Sequence, residues 1–408
     1  MLYKPEAFEP LTSEPWNEQR VRERIRSIVT DAEAAYSPDT FWPADEWDAW
    51  ESPLPLMNLY AGAAGVLWGL DALRRRADVG GELDVAACAR RLVDRWREQP
   101  DFIVSDEFPL PEPRESAFLA GGSGVVFAAW LLDPSDELAD DLHARILANK
   151  HNVADEVMWG SPGTMLAARR LHEATGDERW ADLWKECADA LLARRDEDGL
   201  WTIELYTRTY RGLTPPHGVV GNTSVLLDGA ELLDDGIRDT LARDTNAILR
   251  RTAMFEDGVA NWPHPEGSEL ETADGEIRLQ WCKGAPGVAI GAAPYLDEDL
   301  LLAGAELTWR AGPHGMDKGP GICHGTAGNG YAFLKTFART GDELWLERAR
   351  QFAVHALEQV ERRGSARYSL FTGDIGAALY AADCLAARPT YPLFDPELTA
   401  RAGTSPSD

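Results

Sequence analysis

Two stretches of the chain run parallel over their whole length: GSPGTMLAARRLHEATGDERW, Gly160 to Trp180, and GTAGNGYAFLKTFARTGDELW, Gly325 to Trp345. Each opens on Gly-x-x-Gly, continues through an apolar helical run, stops at Thr-Gly and restarts at Asp-Glu-x-Trp. Gly163 stands as far from Gly176 as Gly328 does from Gly341, which marks the pair as an internal repeat. Gly176 and Gly341 suit the left-handed backbone that ends a helix. Asp177 and Asp342 then set a carboxylate at the positive end of the next one. One unit is thus a helical hairpin.

The same opening recurs before apolar runs at Gly62 (YAGAAGVLWGL), Gly121 (LAGGSGVVFAAW), Gly218 (PHGVVGNTSVLL), Gly284 (WCKGAPGVAIGA) and Gly373 (LFTGDIGAALYAADCL), seven openings in all. Their spacing varies from about 40 to about 66 residues, too irregular for an open solenoid but enough for a helix pair each. The helices so opened are apolar nearly all round, as inner helices should be. Those between them, such as LDVAACARRLVDRWRE and DELWLERARQFAVHALEQVERR, are amphipathic and charged. This alternation predicts an all-α fold, a closed α/α toroid of seven inner and seven outer helices, with small residues at the inner starts letting neighbouring backbones approach. Residues 16–390 are assigned to the ring, 1–15 to an N-terminal segment and 391–408 to a tail. Two irregular stretches, WTIELYTRTYRGLTPP before His217 and Phe255 to Gln280 with Pro263, Pro265 and Asp274-Gly275, read as hairpins or loops on one rim.

The 408 residues carry 68 acidic and 40 basic side chains, a formal charge of -28 that disfavours nucleic acid and anionic membranes as partners. No run of about 18 apolar residues spans a bilayer, and the N-terminus lacks the basic and apolar regions of a signal peptide, so a cytoplasmic location is expected. Five cysteines, an odd number, argue against a disulfide framework. Cys88, Cys187 and Cys384 fall in helical patterns and are expected to pack.

The chemistry lies just before the openings. Cys282 stands two residues before Gly284, and Cys323 stands two before Gly325 with His324 between. In a ring these side chains converge at one end. Two thiolates and an imidazole form a recognised zinc set, and three protein ligands leave a fourth position open for a substrate thiol. His217, just before Gly218, is placed to act as acid or base beside them. His264 and His314 lie in nearby loops and are alternative ligands outside the register. His143, His151, His172 and His355 fall in or beside amphipathic helices, where surface or packing roles are expected.

QWCKGAPGV, GICHGTAGNGY, PPHGVVGN and YSLFTGDIGAALYAADCL together resemble the lanthionine synthetase C-like family, and the seven openings extend that resemblance from about Tyr60 to Cys384. The resemblance implies zinc on Cys282, Cys323 and His324. It also implies addition of a thiol to dehydroalanine or dehydrobutyrine, as lanthionine-type cyclisation or as addition of glutathione or another small thiol. His217 would handle the proton at the enolate, Arg278 would stabilise that enolate or position the acceptor carbonyl, and Glu156 or Asp155 would be the acidic residue of the third opening. The expected acceptor is a dehydrated peptide or protein made by a separate dehydratase. The chain departs from the family at Lys283, where relatives carry Tyr or His, and at Thr372, where they often carry Glu. Two other readings exist for such a ring. One is a carbohydrate-active hydrolase using Asp155 or Glu156 with Asp374. The other is a zinc-stabilised binding protein without catalysis.

Overall fold

The computed structural model describes residues 1–49, 55–101 and 112–396. Helix α1 (Glu18–Ala34) and the four-residue turn α2 (Glu46–Ala49) lead into a strict alternation: α3 (Ala63–Ala77), α4 (Val85–Glu98), α5 (Gly122–Leu132), α6 (Asp136–Asn149), α7 (Ser161–Thr175), α8 (Glu178–Leu192), α9 (Val219–Asp228), α10 (Ile237–Thr252), α11 (Ala285–Ala292), α12 (Glu298–Ala311), α13 (Thr326–Thr340), α14 (Glu343–Arg363) and α15 (Asp374–Leu385). From α3 onward each odd-numbered helix packs on the next, and α15 returns to α3, so these seven close an inner ring. Helix α1 and the even-numbered helices from α4 to α14 form the outer seven, each against an inner neighbour. The chain is the expected α/α toroid. Residues 397–408 of the expected tail lie outside the described residues.

The two layers differ as their patterns require. Inner helix α5 buries every residue except Leu131. Outer helix α4 buries Val85, Cys88, Ala89, Leu92, Val93 and Trp96, one stripe at helical spacing, and leaves its arginines outward. Helices α7 and α13 end on Gly176 (φ 66°) and Gly341 (φ 71°). The Asp177 and Asp342 carboxylates then accept backbone N–H bonds from Arg179 and Leu344 at 3.0 Å each, capping α8 and α14.

The first glycine of every opening is the N-cap of its inner helix. The second has a stricter task. A Cβ on Gly163 would lie 2.0 Å from the Val157 carbonyl oxygen, and one on Gly328 would lie 2.1 Å from that of Ile322. The same clash, at 1.8 to 2.1 Å and always with the carbonyl three residues before the first glycine, recurs in all seven units. The glycines therefore let each loop fold back onto its own helix. Close approach of neighbouring units, which the sequence led us to expect, is the second effect. In most units the side chain of that same loop residue reaches the next unit's second glycine, as Phe118 does at Gly163 and Val157 at Gly221. Leu370 of the last unit reaches Gly65 of the first.

Backbone hydrogen bonds tie most of the folded loops to their neighbours: Phe371 N–H to Tyr60 O (3.1 Å), Tyr60 N–H to Leu119 O (2.9 Å), Leu119 N–H to Met158 O (3.3 Å), Val157 N–H to Pro216 O (3.2 Å) and Cys323 N–H to Phe371 O (2.8 Å). Between the fourth and fifth units the Thr214 hydroxyl donates to Cys282 O at 2.6 Å. Two hairpins stand on this rim. Strands β1 (Ile203–Leu205) and β2 (Arg208–Tyr210) pair antiparallel, as do β3 (Met254–Glu256) and β4 (Val259–Asn261). The second turns at Asp257-Gly258, both at positive φ, with a separate tight turn at the Asp274-Gly275 pair marked in the sequence.

These contacts separate two kinds of glycine. Gly163→Ala should cost about 1–3 kcal/mol because a backbone carbonyl must move. Gly176→Ala, at positive φ with open space around it, should cost only about 1 kcal/mol. Urea unfolding of the two variants checks the order.

Candidate metal centre and catalytic cleft

Cys282 and Cys323 occupy the position two residues before the first glycine in the fifth and sixth units, and His324 follows directly. The packing of α11 on α13 brings the two loops together: one ligand atom from each residue lies within 4.8 Å of the other two. Cys323 Sγ and His324 Nε2 are 3.6 Å apart, against about 3.6 Å for the S···N edge of a tetrahedral zinc site. Both thiols are buried, and the His324 Nδ1 is buried without a partner among the described residues. The donor set and its spacing fit zinc.

Burial pushes both thiols up, but the hydrogen bond from Cys323 and the adjacent His324 pull Cys282 well below the ordinary thiol range. Burial and the same hydrogen bond hold Cys323 well above it. Gln280 Nε2 donates to Cys282 Sγ at 2.9 Å, and Tyr60 hydrogen-bonds Cys323. The edge of Trp47 lies against the His324 ring at 5.2 Å. Thr372, in the last opening, donates at 2.6 Å to Asp48, a buried carboxylate that also accepts from Ser369 at 3.0 Å. Burial, partly offset by the Thr372 bond, raises Asp48 above the ordinary carboxylate range.

His217 stands one unit earlier. Its Nδ1 lies 2.6 Å from Glu156 Oε2, and because an ionised carboxylate can only accept, Nδ1 carries the proton. Glu156 is fully buried and accepts two further bonds, from the backbone N–H groups of Met158 (3.1 Å) and Trp159 (2.5 Å). The pair is therefore rigid, and Nε2 is left for a substrate. Asp155 points elsewhere, gripped by Arg194 at 2.6 to 3.0 Å. Of the two acidic candidates, only Glu156 meets His217. Asp374 is likewise engaged, with Arg363 and the Arg367 N–H. The two aspartates considered for hydrolysis are thus each neutralised in place.

A cleft of about 850 Å³ opens beside His217, walled by the first hairpin and by the loop that follows β4, and lined by Tyr206, Tyr210, His264, Arg278 and Lys283. Arg278 reaches Asp274 (3.0 Å) and Glu276 (3.2 Å). Burial and nearby Arg278 lower Lys283, with Cys282 opposing. Burial, then Lys283 and His217, push His264 well below 6.5, which keeps it neutral. His314 is not in the metal cluster. Its Nε2 bonds Leu279 O at 2.9 Å and its ring stacks on Phe8 at 4.6 Å.

Sequence reading overlooked Tyr60, Gln280, Asp48 and Tyr206. For Tyr60 the signal was present, since it too stands two residues before its first glycine. Asp48 and Tyr206 come from outside the repeat register and carried no such signal.

Burial lowers His314 to about 4. The unfolded chain therefore binds its proton first, and the stability this imidazole contributes above about pH 6.5 is lost as pH falls through 4, of order 3 kcal/mol in total. His314→Gln should flatten the stability profile between those limits in urea unfolding at stepped pH.

The geometry has counterparts among known proteins. Residues 48–395 match the family model "Lanthionine synthetase C-like protein". The chain is 36% identical over 313 residues to "Glutathione S-transferase LANCL1" of Danio rerio, covering 68% of this chain and 73% of that one. It is 32% identical over 131 residues to "LanC-like protein GCL1" of Arabidopsis thaliana, 28% of each chain. Among solved structures "Nisin cyclase" superposes with TM-score 0.60 at 14% identity, over 90% of this chain and 94% of that one, a likeness of fold. The ring, the Cys-Cys-His cluster and these matches place the chain in the lanthionine synthetase C-like family.

Proposed function

We propose that the protein is a zinc-dependent enzyme that adds a thiol to a dehydroalanine or dehydrobutyrine residue, forming a thioether. The observation that carries this reading is the convergence of Cys282, Cys323 and His324 on the rim that also bears the His217–Glu156 pair, with His217 lining an open cleft. A zinc ion on those three ligands would supply a positive centre that keeps an incoming thiol in its nucleophilic thiolate form. Relatives bearing the names glutathione S-transferase and nisin cyclase support the thiol-addition class.

The chain's own groups divide the remaining work. Attack of sulfur on the β-carbon moves the double-bond electrons toward the carbonyl and leaves an enolate, whose α-carbon must take up a proton. His217 is placed for that transfer through Nε2, because Nδ1–H is fixed on Glu156 and the carboxylate stabilises the imidazolium form. Arg278 brings positive charge to the same cleft, where it would orient the acceptor carbonyl or stabilise the enolate. The open cleft suits a peptide or protein segment as acceptor, dehydrated beforehand by a separate dehydratase. The thiol comes from the same chain or from glutathione or another small thiol. Five free cysteines suit the reducing cytoplasm proposed as its location. No helix among the described residues is long and apolar enough to cross a membrane.

Metal analysis of the purified protein should give about one zinc per chain, lost in Cys282→Ala, Cys323→Ala and His324→Ala. A folded, metal-free wild type would refute the site. With a dehydroalanine peptide and a thiol, mass spectrometry should show the addition product. His217→Ala should slow its formation by about 10²–10⁴-fold without loss of zinc, and Glu156→Gln should slow it less. Zinc without product would instead favour the non-catalytic binding protein.

A further inference from the structure

The residue just before the first glycine is His217 in the fourth unit, Lys283 in the fifth and His324 in the sixth. Inner helices α9, α11 and α13 stand side by side, so Lys283 occupies the stretch of rim between the two imidazoles. It lines the same cleft as His217, His264, Arg208 and Arg278. The side chain is half-buried, and among the described residues its ammonium has neither a hydrogen-bond nor an ion-pair partner. That is unusual in a chain with 68 acidic against 40 basic residues, where carboxylates are in excess.

Other donors in the cleft are in the same condition. Arg278 engages Asp274 and Glu276 through Nη2, but its Nε is buried without an acceptor. His264 Nδ1 is also buried without a partner. Arg208 stands exposed at the mouth of the cleft. The acidic groups nearby are Asp274 and Glu276 on Arg278, Glu271 on Lys4 at 3.1 Å, and the exposed Glu269. None of these carboxylates pairs with Lys283, and the other negative group facing it is the Cys282 thiol, one of the three candidate metal ligands. Partly buried donors without acceptors favour an acceptor-bearing anion. In the cleft lining Arg208, Arg278 and Lys283 are matched in number by Glu269, Glu271 and Asp274, which suits a single negative charge better than a phosphate dianion.

We propose that Lys283, with Arg278 and Arg208 around it, binds a carboxylate of the substrate beside the reacting centre. The identity of that substrate rests on the thiol-addition reading above. The carboxylate belongs either to an acidic residue flanking the dehydrated position of the acceptor or to the thiol donor. Beyond about 8 Å the acidic surface is screened at physiological salt, so the local cations decide the preference.

Unreactive probes test this without turnover. Titration calorimetry would compare two pairs on the purified protein. The first is an acceptor peptide with alanine at the dehydrated position, flanked by Glu or by Gln. The second is S-methylglutathione or its dimethyl ester. The expected result is at least about ten-fold tighter binding of the charged member of one pair, with the responding pair identifying the source. Lys283→Met should abolish that preference at an unchanged melting temperature, and Lys283→Arg should keep most of it. Equal affinity within both pairs, no binding of any probe at millimolar concentration, or a preference that survives in Lys283→Met would overturn the proposal. Zinc content and thioether formation are read separately. A Lys283-dependent preference in a protein that makes no thioether would sink the catalytic reading and leave the carboxylate subsite standing.

Discussion

One close approach underlies this molecule: the carbonyl three residues before each opening glycine lies against the second glycine of the same opening. With no Cβ there, the loop can fold back over the helix it has just started. The side chain of that same loop residue then lands on the next unit's glycine in most units, and backbone hydrogen bonds join the loops around the rim. A contact local in sequence thereby sets the spacing of neighbouring units, and Leu370 on Gly65 closes the ring. Wherever a larger residue stood at one of these glycines, the loop would lift and the two residues just before the first glycine would leave the rim.

Those residues include the candidate metal ligands and the candidate acid–base group. The position two before the first glycine holds Tyr60, Cys282 and Cys323, and the next holds His217, Lys283 and His324. Because the loops share one geometry, substituting side chains at two register positions is enough to assemble a cluster of thiols, imidazoles and an ammonium without altering the scaffold. Fixed partners supply orientation: Glu156 for His217, Gln280 for Cys282, Tyr60 for Cys323. Each is itself buried, so the low local dielectric strengthens the bond it makes.

Charge is distributed on the same principle. Elsewhere in the ring, cations are matched: Arg170 with Asp228 and Glu173, Arg24 with Glu14 and Glu361, Arg194 with Asp155. Such pairs hold helices and loops together and leave little charge free for a ligand. The cleft differs because, among the described residues, Lys283 has no partner of this kind, although the chain as a whole is strongly acidic. Even Asp155, adjacent to Glu156 in sequence, is consumed by this structural pairing, which explains why two neighbouring carboxylates face different tasks.

By itself the sequence determined the ring and the register. Gly-x-x-Gly before apolar runs and Thr-Gly-Asp between helices are local signals, set by steric access and helix capping, and they survive without knowledge of the neighbours. Cys282, Cys323 and His324 could be grouped because they share that register. Only the tertiary structure decided between Asp155 and Glu156, since adjacent residues differ in which distant side chain, Arg194 or His217, they meet. It also brought in Asp48 and Tyr206, which lie outside the repeat and reach the site through loops whose paths no periodicity encodes. It showed, finally, that Lys283 has no ion pair among the described residues, because pairing depends on distances between residues far apart along the chain, and a single sequence does not contain them.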